Sequence, residues 1–257
     1  MALKKFFRRE NRIAFWIYQI YVWAIVLPLL ILSTIFFVSL GVMFVILFDD
    51  KVANRTTGVW WARFNSYITP MCVKVIGREN IREGKSYIVV SNHQSSYDIF
   101  FLYGWLGIDI KWVMKKELRK VPVFGFAGKM GGNIYIDRSS PKAAYTSLEA
   151  AKKKLVEGTS VIILPEGTRS KTGEIGAFKK GAFILSTDLG MPILPISISG
   201  TRSILPPKTF SLFPGRAVME IHKPIHVSKK DRDNIDDLIK RTRSIITSGF
   251  MRNSSVE

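Results

Sequence analysis

From Ile13 to Phe48 the chain carries no charged side chain, a run of 36 residues rich in Ile, Leu, Val and Phe. As one helix this run would be about 54 Å long at 1.5 Å per residue, well beyond a hydrocarbon core of about 30 Å. Pro28 lacks the N–H that a helix interior needs, so the pattern predicts two shorter helices, Ile13–Leu27 and Leu29–Phe48. Lys4, Lys5, Arg8, Arg9 and Arg12 precede the run, and Lys51, Arg55 and Arg63 follow it. Positive charge at both ends favours a hairpin or re-entrant dip with both ends on the cytoplasmic side; a single long tilted span is the alternative. A cleaved leader fits poorly, because its apolar region runs to about 7–15 residues and no small-x-small site closes this one.

After Trp61 the pattern changes to short apolar runs alternating with amphipathic stretches. Tyr87–Val90, Lys111–Met114, Asn133–Ile136, Ser160–Leu164, Ile193–Ser199 and Ala217–Ile221 read as strands, being β-branched or aromatic and bounded by Gly, Pro or charge. Helical patterns lie between several of them. In Pro141–Glu157, Ser140 can cap, Pro141 suits the first position, and Ala144, Leu148, Ala151 and Leu155 form one stripe. Ile99–Leu106 and Asp231–Ser248 also read as helices. The alternation predicts an α/β domain, a central mostly β-sheet core flanked by helices, preceded by a membrane-embedded helical hairpin. Residues 1–60 would form the basic segment and two-helix anchor, and residues 61–257 the α/β domain.

Charge sharpens this picture. There are 38 Lys and Arg against 20 Asp and Glu, a net +18, so the partner is anionic: nucleic acid, a phospholipid surface or a phosphorylated substrate. With Cys72 as the single cysteine, no intramolecular disulfide forms and a reducing compartment is expected.

Two segments place reactive groups just beyond strand ends, where α/β proteins collect their functional groups. His93 and Asp98 lie in Ser91-Asn92-His93-Gln94-Ser95-Ser96-Tyr97-Asp98, between a strand and an apolar helix. A carboxylate five residues on can fold back to Nδ1–H, fix the tautomer and leave Nε2 as a base. A structural His beside an Asp favoured by the helix dipole is the plainer reading of the same residues. In Leu164-Pro165-Glu166-Gly167-Thr168-Arg169-Ser170, Gly167 lets backbone amides approach an anion and Arg169 offers a planar fork for phosphate, or the segment is a solvated turn. Gly131 to Arg138 forms a third block ending in a basic residue, and Met191 to Ile196 a fourth, read as a buried strand with its proline at an end.

Other chemistry is thinner. Cys72 has no catalytic companion, and His222 and His226 lack a third ligand for a metal, so no metal site is assigned. Neither a G-x-S-x-G elbow nor a G-x-x-x-x-G-K-[ST] loop is present.

The four blocks, in this order and spacing from about Val73 to Pro224, resemble the lysophospholipid and glycerol-phosphate acyltransferase family. His93 to Asp98 matches its HxxxxD element, Gly132 to Arg138 its second block, Leu164 to Ser170 its EGTR block and Met191 to Ile196 its proline-containing block. The resemblance implies direct transfer from an acyl thioester, acyl-CoA or acyl carrier protein, to the hydroxyl of lysophosphatidic acid, without an acyl-enzyme and without a cofactor. His93 would be the base and Asp98 its orienting partner. Arg138 and Arg169 would hold the phosphate, with Lys115 as a third cation, while Glu166, Gly167 and Thr168 shape the acceptor loop. Membrane phospholipid is the expected surface and nucleic acid is not an expected partner. Two other readings remain at this stage: an acyltransferase acting on glycerol 3-phosphate or another lysolipid, and a non-enzymatic basic adaptor at a membrane surface.

Overall fold

The computed structural model describes residues 12–137, 139–140, 142–143, 146–147, 159–209 and 211–254. Arg138, most of the expected helix Pro141–Glu157 and the basic residues Lys4, Lys5, Arg8 and Arg9 lie outside the described residues. At the start of that helix the expected cap is present, with Ser140 Oγ accepting the Ala143 N–H at 3.1 Å.

Seven strands form one mixed sheet among the described residues. They are β1 (Met71–Ile76), β2 (Ile88–Ser91), β3 (Ile110–Lys115), β4 (Ile134–Ile136), β5 (Ser160–Ile163), β6 (Ile193–Ser199) and β7 (Gly215–Ile221), in the spatial order β1-β7-β6-β2-β5-β3-β4. β6, β2, β5, β3 and β4 run parallel; β7 is antiparallel to β6, and β1 pairs parallel with β7. Alternation along the strands feeds two cores. Val89, Ile162 and Leu194 enter one, and their neighbours Ile88, Val161 and Ile193 enter the other. A strand buried on both faces reads as an unbroken apolar run, which is why β2, β5 and β6 stand out in the sequence.

The longer helices among the described residues are α1 (Arg12–Tyr21), α2 (Leu27–Leu47), α3 (Val59–Ile68), α4 (Asp98–Trp105), α5 (Phe124–Met130), α6 (Gly181–Leu189) and α7 (Ile235–Ser254). On one face of the sheet the core takes in Ala62 from α3 and Phe101 from α4; on the other it takes in Phe183 from α6 and Leu238 and Ile246 from α7.

The N-terminus departs from the expected division at Pro28. α1 and α2 join through a π-helical turn, Val22–Val26, into one continuous helix, Ile13–Leu47, of 35 residues. Leu27 N bonds back to Val22 O, five residues away. A π-turn of this kind accommodates the missing proline donor without ending the helix. A helical hairpin is nonetheless present, with its turn at Phe48–Asp49. There the Asp49 side chain accepts the Val52 N–H at 2.7 Å and starts the return toward α3. Ser33 donates to Asn65 Oδ1 at 3.1 Å, and Trp61 Nε1 donates to Thr34 at 3.0 Å, tying α2 to α3. Gly58 permits the close approach of α3 to α4, since a Cβ there would lie 2.2 Å from the Tyr103 ring.

The six expected strands are all present, with ends shifted by at most two residues. β1 was not among the expected strands. Its half-exposed MCVKVI sequence, with Cys72 and Lys74 at the surface, is that of an edge strand. Pro195 stands in the third position of β6 rather than at an end, just before the β7 ladder begins at Ile196.

Candidate active site

The parallel strands β2, β3 and β5 deliver the described site residues from their C-terminal ends. His93 follows β2, Lys115 ends β3, and Glu166 to Arg169 follow β5. A shared strand direction brings segments distant in sequence to one edge of the sheet.

Asn92 sets the position of the first loop. Its side chain donates to Ile198 O at 2.9 Å and accepts from Ile198 N at 2.8 Å, fastening the end of β2 to β6 through a fully buried amide. The chain then turns into α4, and the Asp98 carboxylate reaches back to the loop in the manner of a capping box. Oδ2 accepts the N–H of Gln94 at 2.7 Å, the N–H of Ser95 at 3.0 Å and Nδ1 of His93 at 2.7 Å. Oδ1 accepts the Thr201 hydroxyl. A buried carboxylate is tolerable only when so surrounded by donors, and Asp98 is 0% exposed. Because Oδ2 already accepts two main-chain donors, it acts as an acceptor toward the ring. The proton therefore sits on His93 Nδ1, leaving Nε2 with its lone pair. The His93 side chain keeps 16% exposure.

The second loop is bonded to the first. Glu166 Oε1 accepts the His93 N–H at 2.7 Å, and Oε2 accepts the Gly176 N–H at 2.9 Å. Burial pushes the Glu166 carboxyl above its ordinary range, and these two donors pull against that shift. Ser170 N donates to His93 O at 2.8 Å. Arg169 Nη1 donates to Ser96 Oγ at 2.7 Å, which places the exposed guanidinium beside the histidine loop. Gly167 has φ +73°, a conformation that favours glycine, while the atoms nearest a Cβ there belong to the flexible end of the Lys179 side chain. Thr168 is exposed beside it. Lys115 is exposed and paired with Glu117 at 3.4 Å. Asp137, immediately before the undescribed Arg138, is drawn down to about 2 by the N–H and hydroxyl of Ser139 and by Lys116.

His93, Lys115 and Gly167 line one cavity of about 330 Å³. Its other walls are mainly apolar: Phe37, Val38 and Val42 from α2, with Ile99, Trp112 and Ile162 from the domain. Asn54 and Gly131 also line it, and around them is a polar cluster. Asn54 donates to Gly131 O at 3.1 Å, and Tyr103 donates to Asn54 Oδ1 at 2.9 Å. Buried Lys111 bonds Asp50 at 2.8 Å and lies 3.8 Å from Asp109, whose carboxyl is raised by burial.

His93, held from behind by buried Asp98, and Gly167 of the arginine loop thus meet at an apolar cavity, with Thr201 behind Asp98 as a member that sequence reasoning missed. Nothing local marks Thr201; its role depends on the turn after β6 bringing it to Asp98, 103 positions away in the chain.

A polarised imidazole at the wall of a mainly apolar cavity can take the proton of a hydroxyl placed against it. The chain belongs to the acyltransferase family: residues 72–199 match its family model, and a bacterial member is similar over most of both chains. That member, the 1-acyl-sn-glycerol-3-phosphate acyltransferase of Pseudomonas aeruginosa, is 32% identical over 202 residues, covering 77% of each chain. A chloroplastic 1-acyl-sn-glycerol-3-phosphate acyltransferase of Arabidopsis thaliana is 36% identical over 197 residues, covering 75% of this chain and 54% of the relative. This match therefore spans about half of the plant protein's length. The crystal structure of the 1-acyl-sn-glycerophosphate acyltransferase PlsC from Thermotoga maritima superposes with a TM-score of 0.67 at 27% identity, covering 86% of this chain and 93% of that one.

Proposed function

We propose that the protein transfers a fatty acyl group from an acyl thioester, acyl-CoA or acyl carrier protein, to the sn-2 hydroxyl of lysophosphatidic acid, giving phosphatidic acid. The observation that carries this reading is the His93–Asp98 pair opening on an apolar cavity. Nε2 of His93 takes the proton of the acceptor hydroxyl as its oxygen attacks the thioester carbonyl. The tetrahedral intermediate expels the thiolate, which recovers the proton from His93, and buried Asp98 stabilises the imidazolium between the two transfers. No acyl-enzyme and no cofactor enter this sequence. Arg169 and Arg138 hold the acceptor phosphate as guanidinium forks, with Lys115 adding charge, and the cavity takes an acyl chain. Glu166, Gly167 and Thr168 hold the acceptor loop in place.

The apolar helix Ile13–Leu47 and its return arm support a site held at a membrane. Ile31, Leu32, Ile35 and Phe36 are exposed on it, a surface a bilayer solvates better than water does. Basic flanks on both sides support an active site on the cytoplasmic face. In this reading residues 1–60 anchor and residues 61–257 carry out the transfer. The test is a thiol-release assay that crosses lysophosphatidic acid, other lysolipids and glycerol 3-phosphate with CoA and carrier-protein donors. Release that requires lysophosphatidic acid and disappears in His93→Ala supports the reading. Equal release without any acceptor, or retained turnover in that variant, overturns it.

A further inference from the structure

The segment between β3 and β4 carries a second apolar surface that neither the sheet nor the anchor hairpin covers. Leu118, Val121, Val123 and Phe126 are 37, 45, 41 and 54% exposed, and they cluster within nine residues of sequence. Their local conformation is irregular. A short 3-10 helix, Lys116–Lys120, leads to Val123 at φ 63° and ψ −57°, a positive-φ conformation costly for a β-branched residue, and α5 follows at once. Exposed Arg119, Lys120 and Lys129 flank the apolar side chains. Large apolar side chains set among flexible cations match the boundary between headgroups and acyl chains, where the cations reach phosphates while their neighbours enter hydrocarbon.

Position selects the same partner. α5 packs against α2, the apolar arm of the hairpin, and Leu118, Ala127 and Gly128 wall the cavity opposite Phe37 and Val42. The patch therefore adjoins the anchor through α5 and borders the chamber that holds His93. We infer that residues 116–130 form a second membrane-contact element, docked on an anionic bilayer surface, so that the cavity lies between two elements that both enter the lipid. An acyl chain then passes from leaflet to cavity without crossing water. This inference rests on the reading of the Ile13–Leu47 helix as a membrane anchor.

Single nitroxide labels on the full chain test it, in a Cys72→Ser background and in vesicles of phosphatidylethanolamine with a minority of phosphatidylglycerol. Labels at Val121→Cys and Phe126→Cys report the patch, Ile35→Cys the anchor, and Glu83→Cys, in the loop entering β2, the aqueous side. The expected result is that patch and anchor labels collide with oxygen and are shielded from a water-soluble nickel complex, while the Glu83 label is not. Patch labels as open to nickel as the Glu83 label, with the anchor label shielded, overturn the inference and leave the anchor standing. Patch and anchor labels all open to nickel overturn both. Shielding of the patch that grows with the number of protein chains per vesicle overturns it in favour of contact between copies. A double variant, Val121→Ser with Phe126→Ser, is expected to raise KM for vesicle-embedded acceptor while kcat/KM for a short-chain, water-soluble acceptor stays the same; an equal loss on both acceptors counts against the inference.

Discussion

Glu166 Oε1 accepts the main-chain N–H of His93 at 2.7 Å, so the loop that presents the base and the loop that presents Arg169 are one hydrogen-bonded unit. The other oxygen holds Gly176, which fixes the far side of the same loop. The carboxylate at position 166 thus acts on the main chain around it. Glu166→Ala removes the acceptor of the part-buried His93 N–H, while the exposed Gly176 N–H can turn to water, and is expected to cost about 1–3 kcal/mol of stability, the usual penalty for an orphaned buried donor. Glu166→Gln retains one acceptor oxygen and should lose less. Urea denaturation of the two variants in detergent checks the order, and equal stability of Glu166→Ala and the parent protein would remove the proposed tie.

The imidazole is held through Asp98, and Asp98 in turn by Thr201. His93→Ala should lower kcat by about 10²–10⁴-fold, the usual contribution of a positioned base, with the fold unchanged. Thr201→Val is the finer test, since it removes one hydroxyl from a fully buried carboxylate without touching the ring. Its expected effect is a fall in kcat with KM for the acceptor unchanged, partly recovered in Thr201→Ser. A change confined to KM would mean that Thr201 contacts substrate instead of steering Asp98.

Arg169 is free to turn toward a ligand, because its bond to Ser96 lies at the surface. A charged hydrogen bond to phosphate contributes about 1.5–3 kcal/mol, so Arg169→Ala should raise KM for lysophosphatidic acid by roughly 10- to 100-fold. Arg138→Ala should behave alike. Acceptors without a phosphate serve as the control, and a similar loss on them would show that the arginines support the fold rather than bind the headgroup.

The cavity makes a prediction about the acyl chain. Val42 of α2 lines it, and Val42→Phe fills part of its volume. Each methylene pushed back into water costs about 0.8 kcal/mol, about fourfold in kcat/KM, so preference among saturated acyl donors should shift to shorter chains. A series of donors differing by two carbons measures the shift; an unchanged optimum would place the chain elsewhere.

Much of this was legible in the sequence, and the exceptions have physical causes. β2, β5 and β6 are buried on both faces, so their composition alone identifies them. His93 and Asp98 are five residues apart on one strand-to-helix corner, a local relationship that spacing can convey. β1 escapes because only some of its side chains face the core, and exposed Cys72 and Lys74 interrupt its apolar run. Pro28 misleads for another reason: its missing donor predicts a break, yet a π-turn one residue earlier absorbs it, and the hairpin turns instead at Asp49. Thr201 and the His93–Glu166 bond are products of sheet order, since β2 lies between β5 and β6 while the sequence separates them by 70 residues or more.

The C-terminal helix gives a prediction in pH. His222 Nε2 lies 2.7 Å from Ser197 Oγ, and Ser197 donates its own proton to Ile246 O at 2.8 Å, so the ring is the donor in the first bond. Gly249 leaves the room, since a Cβ there would meet Ser197 Oγ at 2.5 Å and the ring at 2.6 Å. The imidazole thereby docks α7 against β6 in its neutral form. Burial lowers the His222 pKa, Arg252 lowers it further, and Glu220 opposes both. With the folded value below the unfolded one near 6.5, the unfolded chain binds more protons in the interval between them. The contribution to stability is therefore complete above about pH 6.5 and is lost as the pH falls toward the folded value. Thermal unfolding in detergent between neutral pH and about pH 5 should show the parent protein losing stability more steeply than His222→Asn, whose amide can still donate to Ser197. Parallel curves for the two proteins would assign the acid sensitivity to other groups.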